Sequence, residues 1–300
     1  MDRIEAESEA LAPHTNRLNE NSILTTTTAS KLESAQSGSI EDKIEQIYQD
    51  IGGLGKFQVF ATITFLLGLS GQNWWFYVLG YLTQEPDSFV CTYATEFYQP
   101  ACTKENICAG NPAITSWEAD PDSDKTLYNW QQQLDLTCVD EWKVGMLGSG
   151  YFLGWCSTLL WMPGLSVKYG RRYLYWASIV VVALSYLTTL ITGNLVVMCI
   201  ATAVQGVMCS LRVNVGYVYF MEMMPKSMQT PVTTVWCICD AVIYLLASVY
   251  FWKISKHAIY FEAVGLVWTC IGVLLMIWVP ESPRYLISVG KLDEARAIFQ

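Results

Sequence analysis

Two charged residues lie deep inside long apolar runs of this chain, where hydrocarbon would make an isolated charge costly. Asp240 lies near the middle of the run 231–252, and Arg212 lies past the middle of the run 196–220. Ionisable residues inside membrane helices usually mark a substrate, ion or proton site. We therefore interpret Asp240 as a site for a substrate cation or a proton, with Arg212 as its counter-charge. The alternative is a structural ion pair that fixes the register of two helices.

Aromatic and amide side chains accompany these charges. Trp236 and Tyr244 lie four residues either side of Asp240, so a helix would place all three on one face. Aromatic rings beside a carboxylate suit protonated or quaternary amines through cation–π attraction. The further candidates for the wall of a binding site are Gln72, Asn73 and Trp74. The alternative for the aromatic residues is packing between helices or contact with lipid.

The composition is that of a membrane protein with several spans. Hydrophobic residues make up 52% of the 300 residues and charged residues only 15%. A helix needs about 20 mostly apolar residues to cross roughly 30 Å of hydrocarbon. Six such runs occur, at 57–82, 143–164, 172–193, 196–220, 231–252 and 259–280. The sequence therefore predicts an all-α membrane protein with six transmembrane helices.

The polar segments divide the chain and suggest its orientation. Residues 1–50 are rich in Ser, Thr, Asn and Glu and predict a disordered tail. The first transmembrane helix with its lead-in is expected at 51–83, and helices two to six at 143–280. Basic residues follow the second, fourth and sixth runs, which favours a cytoplasmic N-terminus, although Lys253 and Lys256 count against it. We expect a multi-pass protein of the plasma membrane.

The segment 84–142 would then lie outside the cytoplasm. It contains four cysteines, Cys91, Cys102, Cys108 and Cys138. An even number of cysteines in an oxidising compartment predicts two disulfides, and three pairings are open. The segment also holds eleven acids against two bases. Such a field would attract cations to the mouth of a pore, or would simply keep the segment soluble.

Several motifs occur in the order and spacing of one transporter family. Residues 51–58 lead into the first run, 134–138 precede the second, and the motif 280–284 follows the sixth. From about residue 47 onward the chain resembles the organic cation, organic anion and carnitine transporters of the major facilitator superfamily. The resemblance implies the N-terminal half of the facilitator fold and transport of small organic ions by alternating access, with the substrate between two halves. A sugar-porter-like carrier is a further alternative, because sugar porters share similar versions of the last motif.

The resemblance also assigns a gating role to motifs at the cytoplasmic ends of the helices. The residues concerned are Gly164, Lys168, Gly170, Arg171, Arg172, Glu222, Pro280, Glu281, Ser282, Pro283 and Arg284. Two positions depart from the family pattern. Val167 stands where the family has an acid, and Gln229 where an arginine is usual. We expect a looser gate, because valine cannot accept the hydrogen bonds that a carboxylate would. Either the network is rebuilt with other partners or the constraint for transport has relaxed.

Residues 281–300 begin a charged amphipathic helix without a stop signal. We expect the sequence to be a piece of a chain twice as long, because one six-helix half cannot supply both walls of a transport pathway. The alternative is a genuine half-length product that pairs with a second half-length chain. A rival from another class is a non-transporting relic that acts as a membrane interaction or regulatory protein.

Other functional classes lack support in the sequence. The histidines are His14 and His257, too few for a convincing Ser-His-Asp triad or a histidine metal cluster. No P-loop or GxGxxG follows a strand-like run. A pI near 4.8 argues against a nucleic-acid partner. We expect neither an enzyme nor a cofactor, and the expected partners are a small organic ion and the lipid bilayer.

Overall fold

The computed structural model describes residues 55–94, 100–123, 125–291, 293–294 and 298. The predicted disordered tail, 1–50, lies outside the described residues. The helices and strands below all belong to the second of two contact units, Lys56–Gln300.

The first predicted span is helical but broken twice. Its three pieces are α1, Lys56–Ser70, α2, Asn73–Phe76, and α3, Leu79–Leu82. The Ser70 hydroxyl donates back to the carbonyl of Leu66, and such bonds compete with the helix ladder and often bend helices. Gly71, a poor helix former, comes next. The first break therefore falls at residues 71–72, and we call α1 to α3 the first helical run.

The cysteine-bearing segment folds as a small unit before the second run. Strands β1, Phe89–Tyr93, and β2, Ile114–Ala119, pair antiparallel, and α4, Lys104–Cys108, lies between them in sequence. The short helix α5, Trp130–Gln133, precedes the next long helix. The structure contains two disulfides, Cys91–Cys102 and Cys108–Cys138, which is one of the three pairings that the sequence left open.

The rest of the described chain is helical. The helices are α6, Glu141–Thr158; α7, Met162–Tyr169; α8, Arg171–Ile191; α9, Leu195–Cys209; α10, Gly216–Glu222; α11, Lys226–Val249; α12, Ala258–Leu275; and α13, Pro283–Ser288. Two π-helical stretches and one 3₁₀ turn continue these helices. They are Ser210–Val215 between α9 and α10, Tyr250–Ile254 after α11, and Met276–Trp278 after α12.

Four of the described helices are long and apolar enough to cross a membrane. They are Arg171–Ile191, Leu195–Glu222, Lys226–Ile254 and Ala258–Trp278, which we call spans three to six. The first helical run lies in three pieces, and the second predicted run is divided between α6 and α7. The mainly helical prediction is confirmed, whereas the count of six spans stays a prediction.

Glycines let α6 and span four approach closely. A Cβ on Gly154 would lie 2.4 Å from the Ala203 carbonyl oxygen, and one on Gly206 would lie 2.0 Å from that of Tyr151. Small residues allow such backbone contact between membrane helices. The contact places Tyr151 of α6 against span four, next to the polar residues considered below.

Candidate functional site

The charged residues of spans four and five both bond to the first helical run, on opposite sides of its first break. Asn73, just after the break, donates through Nδ2 to Oδ1 of Asp240 at 2.7 Å. Asp240 is half-buried in span five. The amide thus orients a carboxylate at the point where the first run is interrupted.

Arg212 bonds to the other side of the same break. Its Nη1 donates to the carbonyl oxygens of Gly68, at 3.4 Å, and Leu69. These carbonyls lie at the C-terminal end of α1, where helix carbonyls lack intrahelical partners. A cation at a helix C-terminus is also favoured by the helix dipole. Arg212 is only 2% exposed and lies in the π-helical stretch Ser210–Val215, a distortion frequent at functional sites.

Arg212 and Asp240 do not form an ion pair within the part of the chain that the structure describes. The sequence interpretation took Arg212 as the counter-charge of Asp240, within reach if spans four and five face a common cavity. The break in the first run provides separate partners instead, carbonyls for the guanidinium and an amide for the carboxylate. The two charges are therefore connected through one distorted segment of backbone.

The other candidates for the binding wall take different positions. Trp74 packs against Phe261 and Trp268, with ring centroids 5.0 and 5.7 Å away, so it belongs to the contact with span six. Gln72 is fully buried and lies beside Tyr151. Successive helical residues point about 100° apart, which follows from 3.6 residues per turn. Consequently Asn73 contacts Asp240 while its two neighbours face other helices.

The two aromatic candidates in span five flank Asp240, and neither is hydrogen-bonded to it in the described structure. Tyr244 is 51% exposed, one turn along the helix. Trp236 is half-buried, and its ring lies 5.8 Å from that of Tyr217 in span four. The helix places Trp236, Asp240 and Tyr244 on one face, where the Tyr244 ring is exposed and the Trp236 ring packs against Tyr217.

Two residues that the sequence interpretation passed over lie at notable positions. Tyr77, one turn after Asn73, lies close enough to Asp240 and Arg212 to interact electrostatically with both. Its spacing of four residues from Asn73 was the signal available in the sequence. Glu262, in span six, is buried to 1% exposure. A lone acid in an apolar run was the signal for it.

A second polar network assembles at the end of the bundle where the predicted gating motifs meet. The Glu281 carboxylate accepts from the backbone N–H groups of Arg171 at 3.3 Å and Arg172 at 3.0 Å. These are the first two residues of α8, whose N–H groups have no partner within the helix. Glu281 therefore caps span three from a distant part of the chain, with the charge that a helix N-terminus favours.

The network continues into span four. Arg171 forms an ion pair with Glu222, whose carboxylate also accepts from the Ser282 hydroxyl at 2.5 Å. Ser282 caps α13 through the N–H of Tyr285, and Pro283 occupies the first turn of that helix. The Tyr219 hydroxyl donates to the Pro280 carbonyl. The motif after span six is thus bonded to the ends of spans three and four.

Gly170 is required by the geometry of this network. Its φ of +89° and ψ of 158° lie in a region that is essentially restricted to glycine. A Cβ there would also lie 2.7 Å from Oε2 of Glu281. The backbone turn into α8 and the approach of the capping carboxylate both depend on the missing side chain.

Other predicted gating residues lie at the margin of the network. Gly164 has no atom within 4 Å of an added Cβ. Lys168 is exposed, with its ammonium over the Tyr169 ring, and Arg284 is half-buried at the start of α13. Val167 is 72% exposed.

Gln229, where the family has arginine, has a defined partner. Its Nε2 donates to the carbonyl of Met221 at 2.9 Å, near the end of span four. An amide donor thus satisfies a helix-terminal carbonyl. Gln229 therefore joins the end of span four to the start of span five.

Both bases of the acidic segment before α6 are paired with its own acids. Lys104 binds Glu85 at 2.6 Å and Lys125 binds Asp87 at 2.7 Å. The hydrogen bond and charge of Asp87 raise the pKa of Lys125. Exposed pairs of this kind contribute little to stability.

The chain is similar to transporters in sequence and in fold. Mouse solute carrier family 22 member 4 is 25% identical over 188 residues, which cover 62% of this chain and 34% of that protein. The arabinose-proton symporter of Bacillus subtilis is 22% identical over 55% of this chain and 38% of its own length. The chain thus spans roughly a third of the curated relatives that it matches. The xylose transporter XylE from E. coli superimposes with a TM-score of 0.50 at 15% identity, over 81% of this chain and 54% of that one.

These similarities confirm the resemblance that the motifs predict, and the apolar helices fit an integral membrane protein. The sequence model described as "Sugar (and other) transporter" matches residues 60–300. Because this match covers most of the chain, the chain belongs to the sugar (and other) transporter family of the major facilitator superfamily.

Proposed function

We propose that this chain contributes the N-terminal six-helix half of a secondary-active or facilitative transporter of small organic ions, of the organic cation or carnitine type. The observation that carries the proposal is the pair of bonds from Asp240 and Arg212 to the two sides of one helix break. Broken helices beside intramembrane charges are typical of substrate and ion sites in secondary transporters.

Asp240 is the proposed contact for a cationic group. Its carboxylate is half-buried, has an amide as its hydrogen-bond partner, and has no basic residue within 4 Å among the described residues. Tyr77 and Tyr244 are exposed by 39% and 51% on either side of it. Aromatic rings near a carboxylate would attract a protonated or quaternary amine.

Binding at Asp240 would act on the backbone of the first helical run. A cation at the carboxylate competes with the Asn73 amide, and Asn73 is the first residue of α2. Arg212 meanwhile holds the last carbonyls of α1. A ligand changes the populations of two conformations only if it binds them with different affinity. A cation at Asp240 would bind more weakly to a conformation in which the Asn73 amide already occupies the carboxylate.

Span five is the most exposed of the four candidate membrane helices, and Asp240 lies on it. We propose that a second half, in the same chain or in a second half-length chain, covers this side. A cytoplasmic N-terminus and a plasma-membrane location belong to the same proposal.

Two alternatives have specific support. The exposed Val167, in place of an acid, favours a relic that binds partners without moving solute. The name of the matching family and the bacterial symporter favour a sugar-porter-like carrier. The intramembrane charges and their bonds to the helix break favour the organic-ion transporter over both.

Uptake into proteoliposomes tests the proposal. The full chain is reconstituted, and uptake of labelled tetraethylammonium, carnitine and xylose is compared for wild type, Asp240→Asn and the control Glu118→Gln, an exposed acid of β2. If two copies of the chain complete the pathway, we expect saturable uptake of an organic ion that Asp240→Asn abolishes and Glu118→Gln retains. Uptake of xylose alone supports the sugar carrier. Equally little uptake by wild type and Asp240→Asn refutes transport by this chain without a different second half.

A further inference from the structure

Glu262 is a buried carboxylate with an incomplete set of partners. It lies in the second turn of α12 and is 1% exposed. Its two oxygens lie 3.2 and 3.3 Å from one donor, Nε1 of Trp130. An ionised carboxylate offers about four acceptor positions. Within the described residues no lysine, arginine or histidine lies within ion-pairing distance of it.

A second polar group without a partner lies beside it. The Tyr186 hydroxyl in span three is fully buried and has no hydrogen-bond partner among the described residues. A Cβ on Gly265, three residues after Glu262, would lie 2.6 Å from this hydroxyl oxygen. The hydroxyl is thus within about one helical turn of the carboxylate. Buried polar atoms without partners are rare, and each asks for an explanation such as a bound ion.

A cavity leads to this carboxylate from the end of the bundle that carries the disulfides. It measures about 400 Å³ and is lined by Gln132, Thr192, His257 and Glu262, among others. That volume lies within the usual range for small-ligand pockets, roughly 300–1,000 Å³. At its rim the rings of Tyr128 and His257 stack with centroids 4.3 Å apart.

The neighbouring lysine does not serve as the counter-charge. Lys256 precedes His257, and its ammonium donates to the carbonyls of Pro121 at 3.2 Å and Ser123 at 2.8 Å. Its charge is therefore held by the disulfide-containing segment. A carboxylate taken out of water without a compensating charge costs several kcal/mol in real proteins. A mobile cation would remove that cost.

We propose that Glu262 binds a small monovalent cation, an alkali ion or a small protonated amine, in this cavity between spans three and six. The carboxylate supplies the charge, and the Tyr186 hydroxyl supplies a neutral oxygen as a further ligand or acceptor. The site is distinct from Asp240, which bonds to the break in the first run through Asn73. It does not depend on whether Asp240 binds a transported ion.

The site also has a structural consequence, because Trp130 belongs to a segment that is hydrogen-bonded to the first helical run, to the end of span three and to span six. Asn129 donates to the carbonyl of Tyr81 at 2.6 Å, and Gln133 donates to that of Thr192 at 2.8 Å. A cation at Glu262 would therefore lie at the contact between this segment and span six, and its binding would depend on that contact being formed.

Direct binding of labelled sodium and labelled methylammonium to the purified full chain tests the proposal. The measurements are made in the Asp240→Asn background, so that the site proposed for transport cannot contribute. We expect saturable binding of at least one cation that is lost when Glu262→Gln is added and weakened several-fold when Tyr186→Phe is added instead. Glutamine still accepts a hydrogen bond from Trp130, and the thermal unfolding midpoint checks that each variant folds.

The outcomes separate the two ligand sources and the two sites. Binding of sodium alone assigns an alkali site, and binding of methylammonium alone assigns an amine site. Absence of saturable binding in the Asp240→Asn chain overturns the proposal, as does binding that survives Glu262→Gln. If Glu262→Gln does not fold, unchanged affinity in Tyr186→Phe overturns it. Failure of uptake by the wild-type chain would refute only the transport function.

Discussion

Nδ2 of Asn73 lies 2.7 Å from Oδ1 of Asp240, across a contact between the first helical run and span five. On the other side of the same break, Arg212 of span four holds the Gly68 and Leu69 carbonyls. One interruption of the backbone thus brings together the two ionisable residues that stood out in the sequence.

Loss of the Asn73 amide should destabilise the fold. Asn73→Ala leaves a half-buried carboxylate without its donor, and an unsatisfied buried group costs about 1–3 kcal/mol. We expect a lower midpoint of thermal unfolding in detergent. Asn106→Ala is the control, because that amide donates to the Ala101 carbonyl at an exposed site. Equal midpoints for Asn73→Ala and wild type would contradict the assigned role.

Replacement of Arg212 should loosen the end of α1. Arg212→Met leaves the Gly68 and Leu69 carbonyls without their donor, so we expect a lower unfolding midpoint and faster hydrogen exchange of the backbone amides that follow α1. Arg212→Lys keeps the charge but not the planar guanidinium, and should lie in between. Lys253→Met, at an exposed lysine, serves as the control. A stable Arg212→Met chain with unchanged amide exchange would show that these bonds do not stabilise the end of α1.

Gly170→Ala should disrupt the cap on span three. A non-glycine residue in this backbone region costs about 1–3 kcal/mol, and the new methyl group would collide with the Glu281 carboxylate. Gly164→Ala is a matched control, since its Cβ would meet no atom within 4 Å and alanine favours helix. We expect a lower unfolding midpoint for the first variant only. Similar midpoints for both would argue against the described turn.

The two disulfides should contribute unequally to stability. Cys108–Cys138 spans 30 residues and Cys91–Cys102 spans 11. In the chain-entropy model the longer loop gives about 1 kcal/mol more stabilisation. Replacing Cys108 and Cys138 by serine should therefore lower the unfolding midpoint further than replacing Cys91 and Cys102. Non-reducing peptide mapping checks the pairing, and a different linkage would remove the basis of this prediction.

The sequence predicted the four long membrane helices found in the structure, because a run of about 20 apolar residues has few other stable forms. It assigned the motif after the last run to a cytoplasmic gate, but not its bonds to the ends of spans three and four. It did not predict that Arg212 and Asp240 take separate partners. That outcome depends on the break at residues 71–72, where a serine back-bond and a glycine weaken an otherwise continuous apolar run.

The environment of Glu262 and the disulfide pairing could not be predicted from the sequence, for different reasons. Four cysteines allow three pairings, and only folded distances choose among them. Glu262 was visible as an acid in an apolar run, but its donor Trp130 and the neighbouring Tyr186 hydroxyl come from parts of the chain 132 and 76 residues away. Such long-range contacts follow from packing, which periodicity does not encode.

Binding of labelled tetraethylammonium to the purified full chain tests the central claim, that Asp240 holds an organic cation beside the break in the first run. The account predicts saturable binding that weakens at least tenfold in Asp240→Asn and stays unchanged in Glu118→Gln. Equal affinity in wild type and Asp240→Asn, with both proteins folded, would contradict it.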